Sequence, residues 1–175
     1  MTQPPWSVAH IAMGSNLGDR EGTLRRAAAM LDRHDVRVRA VSRFIETAPV
    51  GPAGQGPYIN AAAELETTLT PHGLLAVMMD IERTLGRDRD RGQRWGPRTC
   101  DLDLLLFGSA ILDTPDLTLP HPRMHERRFV LEPLANIAPD VVHPVLKKTI
   151  RQLANRLGTA DNATAHDVEE KSKTD

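Results

Sequence analysis

Cysteine is almost missing from this chain: Cys100 stands alone in 175 residues, so no disulfide can form within it. No apolar run approaches the roughly 20 residues that carry a helix across a bilayer, which argues against a membrane partner. No amino-terminal stretch joins a basic start to a long apolar segment either, so the cytoplasm is the expected location. The Asn162-Ala163-Thr164 sequon is then expected to carry no glycan. An excess of one charge is also lacking. With 22 Lys and Arg against 23 Asp and Glu, the formal charge of −1 excludes a globally basic nucleic-acid binder. Aromatic residues are scarce at 3%, so an aromatic placed off an apolar stripe carries information.

What is present suits one globular domain. The length fits a single unit, and 40% hydrophobic residues can fill one core. The charge is unevenly spread. Residues 159–175 hold five acids and two lysines, leaving a slightly positive body with its charge clustered. We expect a single domain over 1–158, a disordered acidic tail over 159–175, and a monomer.

Periodicity supplies the elements. Ser7–Met13 is a first strand, followed by Gly14-Ser15-Asn16-Leu17-Gly18 as a turn. Asp19 caps a helix marked by Leu24, Ala27, Ala28 and Leu31 at i, i+3, i+4, i+7. Val36, Val38 and Ala40 alternate with Arg37 and Arg39 as a second strand that runs on toward Phe44 and Ile45, where the alternation breaks. Three prolines and three glycines keep residues 47–57 irregular. Ile59, Ala61, Ala63 and Leu65 line one face of a third strand, turning Tyr58, Asn60, Ala62 and Glu64 the other way. Thr70 and Pro71 open a second helix striped by Leu74, Met78, Ile81 and Leu85, and Gly86 ends it. Asp101–Phe107 is a fourth strand, with Gly108-Ser109 read as a hairpin turn into 110–112. Further strand pieces fall near 117–119, and helices near 129–135 and 149–157. The order β-α-β-β-α-β gives an α+β, ferredoxin-like core: an antiparallel sheet with both helices on one face, plus C-terminal additions.

The chemistry concentrates at the entrance to the fourth strand. Asp101 and Asp103, two apart, share a face while Leu102, Leu104 and Leu106 turn away. Two carboxylates so close repel unless a cation or a proton lies between them. Such a pair suits Mg²⁺, which takes few protein carboxylates and completes its shell with phosphates and water. The competing reading pairs each aspartate with an arginine. Just upstream, Arg87, Arg89, Arg91, Arg94 and Arg98 crowd twelve residues that contain no lysine. Lysine would serve solvation equally well, whereas the planar fork of arginine grips phosphate oxygens in pairs. Arginines beside a metal site favour phosphoryl chemistry over a structural ion-pair network. Trp95 lies within that charged loop, and Tyr58 stands beside Asn60 on the polar strand face, a pairing suited to a flat heterocycle. His121, Arg123, His125, Arg127 and Arg128 form either a surface basic patch or a second phosphate clamp. Glu82, near the end of the second helix, is read as orienting an arginine of that loop.

Residues 94–103, RWGPRTCDLD, closely resemble the signature R-W-G-P-R-x-x-D-[LI]-D of the 6-hydroxymethyl-7,8-dihydropterin pyrophosphokinases. The resemblance continues through Gly14–Gly18, Tyr58-Ile59-Asn60-Ala61, Leu119-Pro120-His121 and Arg127–Pro133, in the same order along the chain. It implies a ferredoxin-like enzyme that moves pyrophosphate from ATP to the pterin hydroxymethyl group and releases AMP. It further implies that Asp101 and Asp103 bind two Mg²⁺ ions, with Arg87 and Arg98 serving catalysis. Tyr58 and Phe129 would sandwich the pterin, with Asn60 at its edge, Thr47, Pro49 and Val50 framing it, and Trp95 closing over it. The nucleotide would be held by Leu75, Arg89, Arg98, Leu104, Thr118, His121 and Arg127. Loops 47–57 and 87–98 are the expected moving parts. Two departures stand out: Ala48 occupies a position that is proline in many members, and Pro122 one that is often aromatic or polar. The rival functions are a non-catalytic ferredoxin-like module binding RNA, and a nucleotidyltransferase releasing pyrophosphate.

Overall fold

Two helices with well-made amino-terminal caps fix the order of the chain. The Asp19 carboxylate accepts the Gly22 amide at 3.1 Å and starts α1 (Arg20–Leu31), and Thr70 Oγ1 accepts the Gly73 amide at 3.1 Å ahead of α2 (Pro71–Thr84). In the computed structural model, which describes residues 5–49, 53–86 and 99–158, these helices alternate with strands. The strands are β1 (Ser7–Ser15), β2 (Val36–Val41), β3 (Ile45–Thr47), β4 (Tyr58–Thr67) and β5 (Asp101–Phe107). They form an antiparallel sheet ordered β2-β4-β1-β5, with β3 continuing beside β4 where β2 stops. Gly86, at φ +92°, ends the second helical run as the sequence predicts.

The sheet has two covered faces. Leu24, Ala27 and Leu31 of α1 and Leu74, Met78 and Ile81 of α2 pack on Ala9, Ile11, Met13, Ile59, Ala61 and Leu65. Cys100, Leu102 and Leu104 join that core as the predicted alternation requires, whereas Leu106, expected beside them, lies past the register shift between His10 and Ile11 and turns to the opposite face. On the other face Ala62, Leu105 and Leu106 meet Met124 and α3 (Arg128–Ile137), together with Ile150 and Leu153 of a final helical segment over 150–158. This mixed architecture, an antiparallel sheet with helices, matches the expected class. No helix among the described residues is long and apolar enough to cross a membrane.

Two local expectations need correction. The first strand runs on through Gly14 and Ser15, which pair with Asn60 and Ile59. The Gly108 turn exists, with Ala110 N–H on the Phe107 carbonyl, but the chain does not fold back along β5. Instead β6 (Leu112–Asp113) pairs with β7 (Thr118–Leu119) in a separate small sheet. The physical reason lies at the β5 edge, where the His121 amide already donates to the Leu105 carbonyl at 2.9 Å. The expected break after the second strand is real. Ser42 bridges it, its amide donating to the Ala62 carbonyl while its hydroxyl accepts the Ala62 amide.

Two interior histidines help tie this fold to pH, and His121 acts in the same sense. His10, 3% exposed on β1, places Nε2 3.1 Å from Glu64 Oε2, while its Nδ1 is buried without a partner among the described residues. Burial lowers its pKa, and the Glu64 contact only partly opposes that. His143 is also lowered, first by burial and then by His125, and its Nδ1 accepts the amides of Val145 and Leu146. Both rings bind protons more weakly folded than unfolded, so stability is full above the ordinary histidine value of 6.5 and falls as pH drops through it. Urea midpoints measured from pH 8 to pH 5 should therefore fall below about pH 6.5, and His10→Gln should show a shallower fall. A flat profile in both proteins would contradict this assignment.

Candidate active site

Strand register gathers the polar residues into one row. Gly14 on β1 pairs with Asn60 on one side and with Asp101 on the other, and Ala12 likewise pairs with Ala62 and Asp103. Residues paired across a ladder project from the same face. Asn60, Asp101 and Asp103 therefore share the face opposite α1 and α2. Two strand spacings separate Asn60 from Asp101, about 10 Å. Gly14 is the floor between them. A Cβ there would lie 3.3 Å from Asn60 Oδ1, closer than ordinary contact, and 3.7 Å from Tyr58 Cδ1, so glycine leaves the Asn60 amide undisturbed.

At the β4 end the amide is held in one orientation. Asn60, 7% exposed, donates Nδ2 to Thr47 Oγ1 at 2.7 Å, which leaves Oδ1 toward the Gly14 gap. Thr47 pairs with Tyr58, so the hydroxyl, the amide and the phenol ring come from one short ladder. Phe129 opens α3 half-buried, and the Arg127 guanidinium lies 5.8 Å from its ring centre. Pro49 is half-buried just beyond β3.

At the β5 end the aspartates are half-buried above a fixed backbone. Glu82 of α2, 1% exposed, accepts the Leu102 amide through Oε1 at 2.7 Å. Leu102 is the residue between the two aspartates, so a buried carboxylate sets the strand at the point from which both side chains leave. The expectation that Glu82 orients an arginine of the 87–98 loop falls on residues outside those described, and the contact with Leu102 was not read from the sequence. Its signal was a carboxylate four residues after Met78 on an apolar stripe, a position that needs a buried partner. Nearby, Thr99 Oγ1 is buried and has no hydrogen-bond partner among the described residues.

His121 also reaches this end. Its pKa is lowered to about 4, first by burial and then by the Arg127 charge, with Asp101 acting in the opposite sense. The ring is therefore neutral at physiological pH, and its Nδ1 accepts the Arg123 amide at 3.2 Å. A neutral ring whose Nδ1 is an acceptor carries its proton on Nε2, available to donate.

The other predicted residues divide into three groups. Thr118 is half-buried on β7, next to Leu119 in the connection leading to His121. Leu75 and Leu104 belong to the core between the sheet and α1 and α2, and the Leu104 side chain, 3% exposed, faces away from the aspartates. Val50, Arg87, Arg89, Trp95 and Arg98 lie outside the described residues, as do Arg91, Arg94 and the 159–175 tail. Among the described residues no group of three or more His, Cys, Asp or Glu side chains could hold a metal ion. Among the described residues, an ion at this end would have the two aspartates to rely on.

Residues 10–139 match the family described as 7,8-dihydro-6-hydroxymethylpterin-pyrophosphokinase. A 2-amino-4-hydroxy-6-hydroxymethyldihydropteridine pyrophosphokinase of Bacillus subtilis is 51% identical over 136 residues, covering 77% of this chain and 80% of its own. The enzyme of that name from Methylorubrum extorquens is 43% identical over 150 residues, 85% of this chain and 92% of its own. Among solved structures, wild-type Plasmodium falciparum HPPK-DHPS with pterin and p-hydroxybenzoate superposes at TM-score 0.73 over 94% of this chain, with 16% identity. That likeness is one of fold, and this chain spans 45% of the longer Plasmodium chain.

The Glu82 contact makes a direct prediction. Glu82→Ala leaves the buried Leu102 amide without its acceptor and should cost about 1–3 kcal/mol of stability. Glu82→Gln keeps an acceptor and should cost less. Chemical denaturation of the two variants checks this, and equal losses would show that the hydrogen bond to Leu102 is not what Glu82 supplies.

Proposed function

The chain belongs to the 7,8-dihydro-6-hydroxymethylpterin-pyrophosphokinase family, and we infer that it is an ATP-dependent diphosphokinase acting on 6-hydroxymethyl-7,8-dihydropterin in folate biosynthesis. The hydroxymethyl oxygen attacks the β-phosphorus of ATP. The new bond joins that oxygen to phosphorus, the bridge between the α- and β-phosphates breaks, AMP leaves, and the hydroxyl proton passes to solvent. The observation that carries this reading is the row Asn60–Gly14–Asp101, which sets an oriented amide and a pair of carboxylates on one sheet face.

Each end of the row suits one substrate. Asn60 Oδ1, turned by Thr47, accepts from the donor edge of a pterin, while Tyr58 and Phe129 offer the two ring faces that hold it. Pro49 and Val50 frame the ring, and Trp95 completes the enclosure. At the other end Asp101 and Asp103 fit Mg²⁺: they are hard oxygen donors, too few to close a shell alone, which leaves places for phosphate oxygens and water. Two ions held there would neutralise triphosphate charge as it builds on the oxygens in flight. Neutral His121 donates Nε2–H to a phosphate oxygen without the cost of a second buried charge, and Arg127 beside it supplies the charge. Arg87, Arg89 and Arg98 carry phosphate contacts on the strength of their spacing in the sequence. Leu75, Leu104 and Thr118 hold the nucleoside, Leu104 through its backbone edge.

No general base is needed, because positioning and charge neutralisation supply most of the acceleration in phosphoryl transfer. The strand order supports the ferredoxin-like description of the core, with 1–158 as the functional unit and a monomer as its working form. The rival RNA-binding reading gains nothing from the family match.

Product analysis tests this function. ATP and 6-hydroxymethyl-7,8-dihydropterin should give AMP and the pterin pyrophosphate, whereas free pyrophosphate would indicate nucleotidyl transfer. Asp101→Ala with Asp103→Ala should lower turnover by at least about a thousand-fold, the scale of losing several kcal/mol of charge stabilisation, with the circular dichroism spectrum preserved. Full activity in that double variant would refute the role given to the aspartates.

A further inference from the structure

The hairpin that carries Thr47 and Tyr58 is gripped from outside by the segment that starts α1, and no role above uses that grip. Arg20, the first residue of α1, extends its guanidinium in two directions. Nη1 donates to the Pro57 carbonyl at 2.7 Å, and Nη2 lies 3.0 Å from Glu46 Oε2. Glu46 sits on β3, one step before the last ladder pair, Thr47 with Tyr58, and Pro57 directly precedes Tyr58. Arg20 thus joins both limbs of the hairpin at the point where its own backbone ladder ends. Asn16 adds a hold on the returning limb, donating Nδ2 to the Gln55 side chain at 3.2 Å and to the Gly56 carbonyl at 3.4 Å. Three successive residues, Gln55, Gly56 and Pro57, are therefore tied to the turn between β1 and α1.

Stability alone is a poor reason for the Arg20 arrangement. The Glu46 side chain is 57% exposed, and an ion pair that open to water contributes little to folding. Its geometric effect is larger. The neck sets the spacing between Thr47, which turns the Asn60 amide, and the Tyr58 ring. Small displacements of groups that position a substrate have large kinetic effects. A planar fork that reaches a carboxylate and a carbonyl at once is also something lysine cannot reproduce.

We propose that Arg20 is a positioning residue for the pterin end of the site, stapling Glu46 to Pro57 so that Thr47, Tyr58 and Asn60 keep their mutual geometry. The proposal rests on the pyrophosphokinase reading, and it concerns one substrate and not the other, because the aspartates lie two strands away on β5.

Arg20→Ala, Arg20→Lys and Glu46→Gln, assayed beside the wild-type protein for KM toward each substrate and for urea midpoint, decide it. Arg20→Ala should raise the KM for hydroxymethyl-dihydropterin about ten-fold, with the KM for ATP within about two-fold and the midpoint little changed. Arg20→Lys should recover less than half of that loss, and Glu46→Gln, which keeps an acceptor, should show about a two- to three-fold rise. An unchanged pterin KM in Arg20→Ala overturns the staple while leaving the enzyme reading intact. A parallel rise in both KM values with a lowered midpoint also overturns it, since that is what general loosening would produce. A wild-type protein that forms no AMP removes the reading and the proposal together.

Discussion

Everything in the site depends on the register of β1 between β4 and β5. Because Gly14 stands opposite both Asn60 and Asp101, an amide and a carboxylate that are 41 residues apart in sequence become neighbours across one glycine. A slip of one residue in either ladder would turn one of them toward α1 and α2, into the apolar core. The register is held by that same core. Ile11 and Met13 of β1, Ile59 and Ala61 of β4 and Leu102 and Leu104 of β5 are buried against the two helices, and their burial forces the intervening residues outward. Hydrophobic packing on one face thus places polar chemistry on the other.

Buried polar groups refine that placement. Glu82 reaches up from α2 to the Leu102 amide, Ser42 spans the break between β2 and β3, and Asn60 is locked by Thr47. Each occurs where the regular ladder or the apolar stripe is interrupted, and each restrains a residue next to the site. His10 and His143 are further polar groups in the interior, and they couple the folded state to pH without touching the row. The neck of the β3–β4 hairpin follows the same pattern, with side chains from the β1–α1 turn taking over where backbone pairing stops.

Much of this was legible in the sequence for local reasons. Period-two alternation gave the faces of Tyr58, Asn60, Asp101 and Asp103, and the caps at Asp19 and Thr70 marked both helix starts within a residue. Contacts decided by distant partners were not legible. The pairing of Leu112 with Leu119 depends on the β5 edge being taken by the chain at His121, which no local pattern announces. The partner of Glu82 lies 20 residues on, and those of Arg20 lie 26 and 37 residues on, beyond the reach of helical or strand spacing. The roles of individual residues came from resemblance in the chain's motifs, while the row that unites them came from register.

Asn60, at the end proposed for the pterin, and Asp101 and Asp103, at the end proposed for metal and phosphate, lie about two strand spacings apart on a single sheet face. Paramagnetic relaxation measures this directly, using nitrogen-labelled protein with Mn²⁺ and a non-hydrolysable ATP analogue. Strong broadening is expected for the Gly14 backbone amide and the Asn60 side-chain amide, with Arg37 and Arg39 on the far edge strand least affected, and the pattern should be lost in Asp101→Asn. Sharp Gly14 and Asn60 signals in the presence of bound Mn²⁺ and nucleotide would contradict it.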